Sequence, residues 1–387
     1  MKIVHIAPNA PYDEAWGFHE NLLPKYQKKL GHDVTVLVTN LIHEDGRIVE
    51  TECLDAFVDS GVNVIRMKKK KYWHPLLTSL CSKLEVYGYL KDIRPDFIFY
   101  HGLSSTTIFE AVKYKKRDNP ACIIVQDNHI DENNAYRTGG IQDFLVRTFY
   151  RWIVRKTVPY VSKVYGVTPW RKTYAEKYYG VPKNKTDVLI MGADDEKIDF
   201  SNRGQIRSSI REKYGILDDE FLIVTGGKIN SAKKIHILME ACKGMTGVKL
   251  LVFGNVIDEF KEEFEQHVMD NKNVIHIGWI PSGEVYSYFF AADLVFFPGG
   301  HSVMWEQACA SKVPCVFQKW NEMEHVNHGG NSDFVFPVTV ENIRKKITEL
   351  QYTAKYYDIK KVAESGATDI YLYSNIAAKS LECVTIK

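Results

Sequence analysis

The clearest regularity in the chain is the alternation of short apolar runs with longer amphipathic segments. Apolar runs of roughly four to six residues are typical of strands that are buried on both faces of a parallel sheet. The amphipathic segments between them have the length of helices that connect parallel strands. The pattern predicts an α/β protein with strands at Lys2–Ile6, Asp33–Val38, Val62–Met67, Phe97–Tyr100, Ala121–Val125, Val164–Val167, Phe221–Val224, Lys249–Phe253, Val274–Ile277, Leu294–Phe297 and Cys315–Phe317.

The strand–helix pattern stops and restarts near the middle of the chain. After an apolar run at 188–191, a polar and charged stretch continues to about Arg211, and the next strand is expected at Phe221. A chain of 387 residues has enough material for two domains with their own cores. We expect two doubly wound, Rossmann-like domains, 1–195 and 196–367, that face each other across a ligand-binding cleft at the carboxyl ends of their strands.

The turn after the strand Phe221–Val224 combines glycines with two cations. Gly227 is followed by Lys228, and Lys233 comes five residues later. Glycine lets the backbone approach a phosphate group closely, and lysine neutralises its charge. Cations are unfavourable near the start of a helix, which favours a phosphate-binding role for these lysines. The alternative is a pair of solvated surface lysines.

The turn after the strand Leu294–Phe297 has complementary features. Gly299 and Gly300 precede a helix that carries Glu306, and we expect this side chain to face the cleft and to bind a hydroxyl group. Turn glycines without a ligand, and an acid stabilised only by the helix dipole, are the alternatives. Together the two turns predict a nucleotide-diphosphate site that has neither a Walker motif nor a dinucleotide fingerprint.

Several segments, in their order and spacing, resemble a known enzyme family. They are MKIVHIAP with the later LGHDVTVL, KYYGVPKNKTDVLIMGAD, VTGGKINSAKKIHILMEA, VIHIGWIPSGEVYSYFFAADLVFFP and MWEQACASKVPCV. Over nearly its whole length the chain resembles the GT-B fold glycosyltransferases of the family 4 type (glycosyl transferases group 1). This is the retaining group that builds bacterial polysaccharides and glycolipids.

The resemblance implies roles for both domains. The first would bind the acceptor, with a C-terminal helix of about 368–387 packed back on it, and the second would bind the donor. It places an important histidine at His129, near the donor sugar; His101 is a second candidate, and Asp127 could orient either ring. It also implies a close approach of Gly17 to the diphosphate, for which a plain turn is the alternative.

The chain departs from the family pattern at the donor sugar. The family usually has two glutamates separated by seven residues, and Pro298 stands where the first is expected. Glu306 matches the second, which implies ribose binding, and Lys228 stands where arginine is usual. The donor sugar would then be held by the loop of Gly299, Gly300, His301, Ser302 and Val303.

These features predict a retaining hexosyltransferase that uses a nucleotide-diphosphate sugar. Lys228 and Lys233 would stabilise the departing diphosphate, and the acceptor would be a hydroxyl of a glycan or of a lipid-linked acceptor. No Asp-x-Asp motif and no His/Cys group with ligand spacing occurs, so we expect no metal and no cofactor. A non-catalytic subunit that binds nucleotide sugars, and a sugar phosphorylase or epimerase on the same fold, remain alternatives.

The net charge and the length of the apolar runs predict the cellular location of the protein. A net charge of +2 gives no general attraction to nucleic acid. The first residues do not resemble a signal peptide and no apolar run reaches 18 residues, so we expect a cytoplasmic protein. Two basic, aromatic segments, Lys68–Trp73 and Phe144–Lys156, are compatible with peripheral binding to an anionic membrane. A solvated loop and a core-packed helix with a basic face are the alternatives.

Overall fold

The structure is a computed structural model that describes residues 1–14, 16–44, 47–132, 135 and 140–385. The chain forms two compact units. The first unit consists of Met1–Ile190 and Ile376–Lys387, and the second of Met191–Asn375. The acceptor-binding and donor-binding roles assigned to these parts of the chain stay predictions.

The first unit is built on an eight-stranded sheet in the order β10-β9-β8-β7-β1-β2-β6-β5. Neighbouring strands are parallel except for β5, which runs antiparallel to β6. A separate antiparallel hairpin consists of β3 and β4. The strands are β1 (Lys2–Ala7), β2 (Asp33–Thr39), β3 (Leu41–Glu44), β4 (Arg47–Glu50), β5 (Phe57–Asp59), β6 (Val62–Met67), β7 (Phe97–Tyr100), β8 (Ile123–Asn128), β9 (Lys163–Gly166) and β10 (Thr186–Val188).

Helices cover the first sheet, so its central strands are buried on both faces. All four residues of β7 and all six of β8 are buried. A π-helical turn at Ala175–Tyr179 continues the last helix of this region. The helices are α1 (His19–Lys29), α2 (Pro75–Cys81), α3 (Tyr87–Ile93), α4 (Ile108–Arg117), α5 (Gly140–Thr157) and α6 (Pro169–Tyr174).

The second unit has a six-stranded sheet in the order β13-β12-β11-β14-β15-β16, and all of its strands are parallel. The strands are β11 (Phe221–Gly226), β12 (Val248–Phe253), β13 (Val274–His276), β14 (Leu294–Phe297), β15 (Cys315–Gln318) and β16 (Ser332–Val335). The helices are α7 (Arg203–Lys213), α8 (Ile235–Cys242), α9 (Lys261–Met269), α10 (Val285–Ala291), α11 (Met304–Ala310), α12 (Val340–Leu350) and α13 (Ala354–Ala363). Near the end of the chain follow α14 (Tyr373–Ser380) and α15 (Glu382–Thr385).

Each sheet has a topological switch point, where the chain stops adding strands on one side and continues on the other. In the first sheet it lies between β1 and β7, and in the second between β11 and β14. In open parallel sheets the loops that follow the strands diverge at this point and leave room for a ligand. The predicted α/β class with two doubly wound sheets is confirmed.

The polar stretch expected to run to about Arg211 is partly helical, which corrects the sequence-based interpretation. It contains α7, whose Arg207 and Arg211 reach Asp293, with nitrogen–oxygen distances of 2.8 and 3.3 Å. Arg211 is almost completely buried, and Asp293 also accepts a hydrogen bond from the backbone of β11. The charged residues of α7 therefore hold the helix against the second sheet. A polar sequence can thus form a packed helix when ion pairs replace apolar contacts.

Candidate functional site

The two turns singled out from the sequence lie side by side at the switch point of the second sheet. One follows β11 and the other follows β14, and these are neighbouring strands. Lys233 ends a short 3₁₀ turn in the first loop, and its Nζ donates a hydrogen bond to the carbonyl oxygen of Gly300 at 2.6 Å. The fold thus brings the predicted lysine loop and the predicted glycine loop together.

Glycine is needed where these two loops touch. A Cβ atom on Gly299 would lie 2.3 Å from the carbonyl carbon and oxygen of Lys233, too close for non-bonded atoms. Gly227 has a φ of +117°, in the region that favours glycine. A Cβ atom on Gly300 would meet no other atom within 4 Å, so this residue is not required by packing. Contact of these glycines with a donor stays a prediction.

The two predicted lysines have different surroundings. Lys228 is exposed, whereas Lys233 is partly buried and also lies 3.4 Å from the carbonyl oxygen of His301. Burial lowers the pKa of the Lys233 amine because the charged form loses hydration. An anionic ligand at this point would therefore meet one solvated cation and one cation that the neighbouring carbonyl groups hold in place.

Glu306 lies on α11 and is completely buried, with an exposed fraction of 0%. The expectation that it faces a cleft and binds a hydroxyl group stays a prediction; within the second unit, the rings of His301 and His325 lie against it. Their Nε2 atoms lie 2.8 and 2.7 Å from Oε1 of Glu306. Burial alone raises the pKa of the carboxyl group, but His301 and His325 outweigh it and lower the pKa to about 2. The ionised carboxylate can only accept, so both Nε2 atoms donate.

The second oxygen of this carboxylate, Oε2 of Glu306, has no hydrogen-bond partner within the part of the chain that the structure describes. A buried ionised oxygen without a donor is costly, so a hydroxyl group of a ligand would stabilise it. The surrounding frame is fixed: the Tyr371 hydroxyl donates to the carbonyl oxygen of His325 at 2.6 Å. Ser302 and Val303 form the turn into α11.

A second polar cluster lies next to the switch point of the first sheet. Asp127 belongs to β8, His129 follows this strand, and His101 follows the neighbouring β7. Oδ2 of Asp127 accepts hydrogen bonds from Nδ1 of His101 at 2.8 Å and from Nε2 of His129 at 3.1 Å. Nε2 of His19 lies 3.7 Å from the same oxygen. The structure therefore brings both candidate histidines against Asp127.

Burial and charge act in opposite directions in this cluster. Burial alone raises the pKa of Asp127, but His129 and His101 outweigh it and hold the pKa well below its usual range. Burial alone lowers the pKa of His129, and the charge of Asp127 outweighs it, so this pKa is raised. Burial lowers the pKa of His19 and lowers that of His5 to about 3. An ionised aspartate thus lies among histidines of unequal basicity.

A chain of hydrogen bonds connects the cluster to α14. Oγ of Ser380 donates to the carbonyl oxygen of Ala377 at 2.6 Å, so it can only accept from Gln27, whose Nε2 lies 2.9 Å away. The amide nitrogen of Gln27 therefore points at Ser380, and its oxygen lies 2.7 Å from Nε2 of His5. Since that oxygen can only accept, Nε2 of His5 carries a hydrogen atom.

The direction of this chain fixes the hydrogen atoms on the next ring. His5 is neutral because its pKa is low, so its Nδ1 accepts from Nε2 of His101 at 3.0 Å. Nδ1 of His101 faces the ionised Asp127, which also accepts only. Contacts at both ring nitrogens thus hold His101 between His5 and Asp127, next to His129.

The fold assembles two groups of side chains with the composition of metal ligands, although their positions are far apart in the sequence. One is His19, His101, Asp127 and His129, and the other is His301, Glu306 and His325; in each, the ligand atoms lie within 4.8 Å of one another. In both groups the carboxylate accepts hydrogen bonds from two of the histidines. Metal independence stays a prediction.

Sequence reasoning missed five residues of these clusters: His5, His19, Gln27, His325 and Ser380. Each of them is joined to its cluster only by the tertiary fold, as His5 and His101 are, which lie 96 residues apart. A histidine within the apolar run of β1 is the one signal that pointed to a polar contact in the core.

Gly17 is exposed, and a Cβ atom there would meet only Cδ1 of Leu22 at 3.7 Å, so its proposed approach to the diphosphate stays a prediction.

The two basic, aromatic segments belong to the first unit. In Lys68–Trp73, two lysines form ion pairs, Lys68 with Glu52 and Lys70 with Glu85, and Trp73 is 86% exposed. Among the side chains of α5 that the structure describes, those of Phe144, Leu145 and Trp152 are large, apolar and exposed. Among the described residues, no helix combines the length and the apolar character needed to cross a bilayer.

Two family models match the chain, one in each half. The model Glycosyltransferase Family 4 matches residues 22–197, and the model Glycosyl transferases group 1 matches residues 206–358. The two matches follow each other along the chain and together cover most of it. The first match contains the strands from β2 to β10 with His101, Asp127 and His129, and the second contains the whole second sheet with His301, Glu306 and His325.

Similar proteins are also glycosyltransferases by name. The chain is 25% identical over 225 residues to a processive diacylglycerol alpha-glucosyltransferase of Acholeplasma laidlawii, a match that covers 52% of this chain and 66% of that protein, just under two thirds of its length. It is 20% identical over 341 residues to an uncharacterised glycosyltransferase of Methanocaldococcus jannaschii, covering 84% of this chain and 85% of that protein.

Solved structures share the fold over the whole chain. The Anabaena protein HepE in complex with UDP superimposes with a TM-score of 0.70 at 16% identity and covers 100% of both chains. The same protein in complex with UDP-glucose gives a TM-score of 0.67 at 17% identity. From the two family matches and this fold, the chain belongs to the glycosyltransferases of the group 1 and family 4 type, with the GT-B fold of two Rossmann-like domains.

Proposed function

We propose that the protein is a retaining glycosyltransferase that moves a hexose from a nucleotide-diphosphate sugar to a hydroxyl group of a glycan or of a lipid-linked acceptor. The observation that carries the proposal is the junction of the β11 and β14 loops. There Lys233 contacts Gly300 at the switch point of the second sheet, and Glu306 lies in the helix that follows. A nucleotide diphosphate requires cations, a backbone that approaches its phosphate groups closely, and a hydrogen-bond acceptor for its hydroxyl groups.

In this proposal Lys228 and Lys233 bind the diphosphate. Their charge would stabilise the leaving group more strongly as it departs, because negative charge then increases on the phosphate oxygens. The complexes of the Anabaena structure with UDP and UDP-glucose make UDP the first nucleotide to test. Oε2 of Glu306 would accept a ribose hydroxyl, which would give this buried oxygen the donor that it lacks.

The sugar would meet His301, Ser302 and the glycines of the same loop, and His129 would hydrogen-bond it from the first unit. The acceptor oxygen would form its bond to the anomeric carbon on the face from which the diphosphate leaves. The bond from that carbon to the phosphate oxygen breaks, and this oxygen takes the acceptor proton. No protein nucleophile and no metal takes part in this route.

Two observations support a lipid-linked acceptor. The relative from Acholeplasma laidlawii is named for a lipid acceptor, diacylglycerol. Helix α5 combines the exposed apolar side chains with Arg147, Arg151 and Arg155 at intervals of four residues. Helices with this composition bind the interface of anionic bilayers, which would hold the enzyme where its acceptor lies.

The test is a comparison of Lys233→Ala with Lys243→Ala, a change of the same charge at an exposed position of the second unit. UDP release from UDP-glucose, with dioleoylglycerol in mixed micelles as acceptor, gives the rate, and proton NMR of the product gives its anomeric configuration. We expect Lys233→Ala to lower kcat/KM by about a hundredfold, because removing one charge-stabilising donor has this effect in other enzymes. Lys243→Ala should match the wild type.

Full activity of a folded Lys233→Ala variant would show that the diphosphate binds elsewhere. Inversion of the anomeric configuration would contradict the retaining mechanism. If UDP binds but no panel of UDP-, GDP- and ADP-sugars gives turnover with any acceptor, the protein is a binding subunit. Pro298 stands where the family usually has its first glutamate, and this departure is the reason for testing whether the protein is a binding subunit.

A further inference from the structure

Three side chains that can bind a metal ion converge within the second unit. His301 lies in the loop after β14, Glu306 lies in the first turn of α11, and His325 lies in the 3₁₀ turn Glu324–Val326 that follows β15. Their ligand atoms lie within 4.8 Å of one another, and Oε1 of Glu306 is 2.8 and 2.7 Å from the two Nε2 atoms. Because β14 and β15 are neighbouring strands, the fold brings the three ligands to one place.

The composition and spacing of the group favour a zinc-type ion. Two histidines and one carboxylate are the ligand set of zinc sites that keep an open fourth position. Mg²⁺ and Ca²⁺, by contrast, are bound mainly by six or more oxygen atoms. Ligand atoms about 2.0–2.2 Å from a tetrahedral ion are roughly 3.4 Å apart, so Oε1 and the two Nε2 atoms would have to separate by about 0.6 Å.

Two polar atoms of this group are buried and have no hydrogen-bond partner among the residues that the structure describes. They are Oε2 of Glu306 and Nδ1 of His325. A buried carboxylate is costly unless its charge is compensated, because the attraction between charges increases as the dielectric constant falls. A divalent cation can bind one or both oxygens of a carboxylate and would provide this compensation.

The turn that carries His325 is held in place by its neighbours. The carbonyl oxygen of Val326 accepts hydrogen bonds from Nδ2 of Asn331 at 3.1 Å and from Oγ of Ser332 at 3.2 Å. The carbonyl oxygen of His325 itself accepts from the Tyr371 hydroxyl at 2.6 Å. Because ligands that are already ordered lose little freedom on binding, this frame favours metal binding.

The ring of His301 is supported from α11 and can still be reached by an ion. It lies edge-on to Trp305 with ring centroids 5.3 Å apart, and Trp305 in turn stacks on Phe317 at 4.6 Å. The side chains of His301 and His325 are 10% and 8% exposed. An ion can therefore approach through the two histidines, although Glu306 is completely buried.

We propose that His301, Glu306 and His325 form a site for Zn²⁺ or a related first-row divalent cation, and that the bound ion inhibits the enzyme. Binding depends on these three residues alone, whereas inhibition rests on the proposed function. In that function Glu306 accepts a ribose hydroxyl, and a carboxylate that binds an ion is no longer available for it. The proposed transfer uses no metal, so the ion competes with the nucleotide sugar and takes no part in the reaction.

The first test measures zinc binding to the untagged, chelator-treated protein by isothermal titration calorimetry. We expect the wild type to bind Zn²⁺ and His325→Gln to bind it at least tenfold more weakly, since even the loss of a residue that only supports a metal ligand has this effect. His267→Gln is the matched control. His267 lies on α9 with its ring 6.0 Å from that of His236, a pair that could take an adventitious ion. This variant should bind Zn²⁺ like the wild type.

Co²⁺ in place of Zn²⁺ gives a spectroscopic signature of the ligands. Wild type should show the intense visible absorption of four- or five-coordinate Co²⁺, His325→Gln should lack it, and Mg²⁺ should not displace the ion. His19→Gln changes the other group of potential ligands, in the first unit, and should keep the signal. Equal affinity in wild type and His325→Gln, or a signal lost in His19→Gln and kept in His325→Gln, would overturn the proposed site.

UDP tests whether ion and nucleotide exclude each other, and it needs no variant of the metal ligands. Saturating UDP should remove the Co²⁺ absorption of the wild type, and Zn²⁺ should raise the KM for UDP-glucose without changing kcat. Lys233→Ala, in which UDP binding is weakened, should keep the absorption at the same UDP concentration, which separates displacement from chelation by free UDP. Unchanged Co²⁺ affinity with UDP bound would show that inhibition by exclusion is wrong.

The metal site and the proposed function can fail separately. A wild type that binds Zn²⁺ through His325 but neither binds nor turns over nucleotide sugars would disprove the proposed function and keep the metal site. A wild type that turns over nucleotide sugars but binds no Zn²⁺ would disprove the metal site alone.

Discussion

At the scale of single residues, both polar clusters use one buried carboxylate with two histidine donors. Asp127 is held by His101 and His129, and Glu306 by His301 and His325. In each case the pKa of the acid falls although burial alone would raise it. The histidine donors therefore outweigh the penalty of burial, so both acids are more easily ionised in the folded protein than in the unfolded chain.

The charge of Glu306 predicts how stability depends on pH. Its pKa is about 2 in the folded protein, compared with an ordinary value of 4.5, which corresponds to roughly 3 kcal/mol of unfolding free energy at neutral pH. Because the folded pKa is the lower one, this contribution is complete above pH ~5 and is lost as the pH falls towards 2. Glu306→Gln keeps the size and an accepting oxygen but removes the charge.

Urea unfolding of the wild type and of Glu306→Gln between pH 7 and pH 3.5 provides the measurement. We expect the difference in unfolding free energy to be constant down to pH ~5 and then to shrink by up to about 1.4 kcal/mol per pH unit. Glu265→Gln, at an exposed position on α9, is the control and should show almost no difference at any pH. A Glu306→Gln difference that does not change with pH would show that the charge contributes nothing.

At the scale of elements, α5 packs in the core through Ile153 and Val154 and exposes Phe144, Leu145 and Trp152. On its outer side, Arg151 is partly buried and Arg155 is exposed. If this helix binds an anionic bilayer, each arginine near the surface contributes about 1 kcal/mol. The double variant Arg151→Glu/Arg155→Glu should then weaken binding to phosphatidylglycerol vesicles at least about thirtyfold.

Co-sedimentation with vesicles measures this binding, and vesicles of phosphatidylcholine alone give the uncharged reference. Lys261→Glu/Lys272→Glu changes the net charge by the same amount in the second unit and should bind like the wild type. If both double variants lose binding equally, the attraction comes from the net charge of the chain and not from α5. If the wild type does not bind anionic vesicles, α5 is a packed helix with a solvated basic face.

The elements that the sequence predicted are those with a continuous apolar run. The strands Phe97–Tyr100 and Leu294–Phe297 were predicted to the residue, because burial on both faces leaves no polar position. Val62–Met67 was also predicted to the residue, although Asn63 and Arg66 interrupt its apolar positions. The hairpin of β3 and β4 was not predicted, since its residues are only partly buried or exposed. Helix α7 was missed for another reason: it is held by arginines, and apolar periodicity does not detect such contacts.

At the scale of the whole molecule, both polar clusters lie at or next to a switch point, which depends on strand order and not on any local motif. The Gly–Lys turn and the glycine loop could be predicted because each has its own local signal. Their contact through Lys233 and Gly300 required the pairing of β11 with β14. The partners of Glu306 and Asp127 required the complete fold, so the sequence could not show that either acid is buried.

Nucleotide binding should stabilise the molecule through the second unit. A ligand at a hundred times its dissociation constant adds about 2.7 kcal/mol, which for a unit the size of Met191–Asn375 corresponds to a rise of roughly 5–10 °C in Tm. Scanning calorimetry with and without UDP should show this rise in the wild type, and Lys233→Ala should lose most of it. His129→Gln should keep it, because His129 belongs to the first unit and is expected to contact the sugar. A UDP shift that survives in Lys233→Ala and disappears in His129→Gln would place the nucleotide on the first unit and would reverse the roles proposed for the two domains.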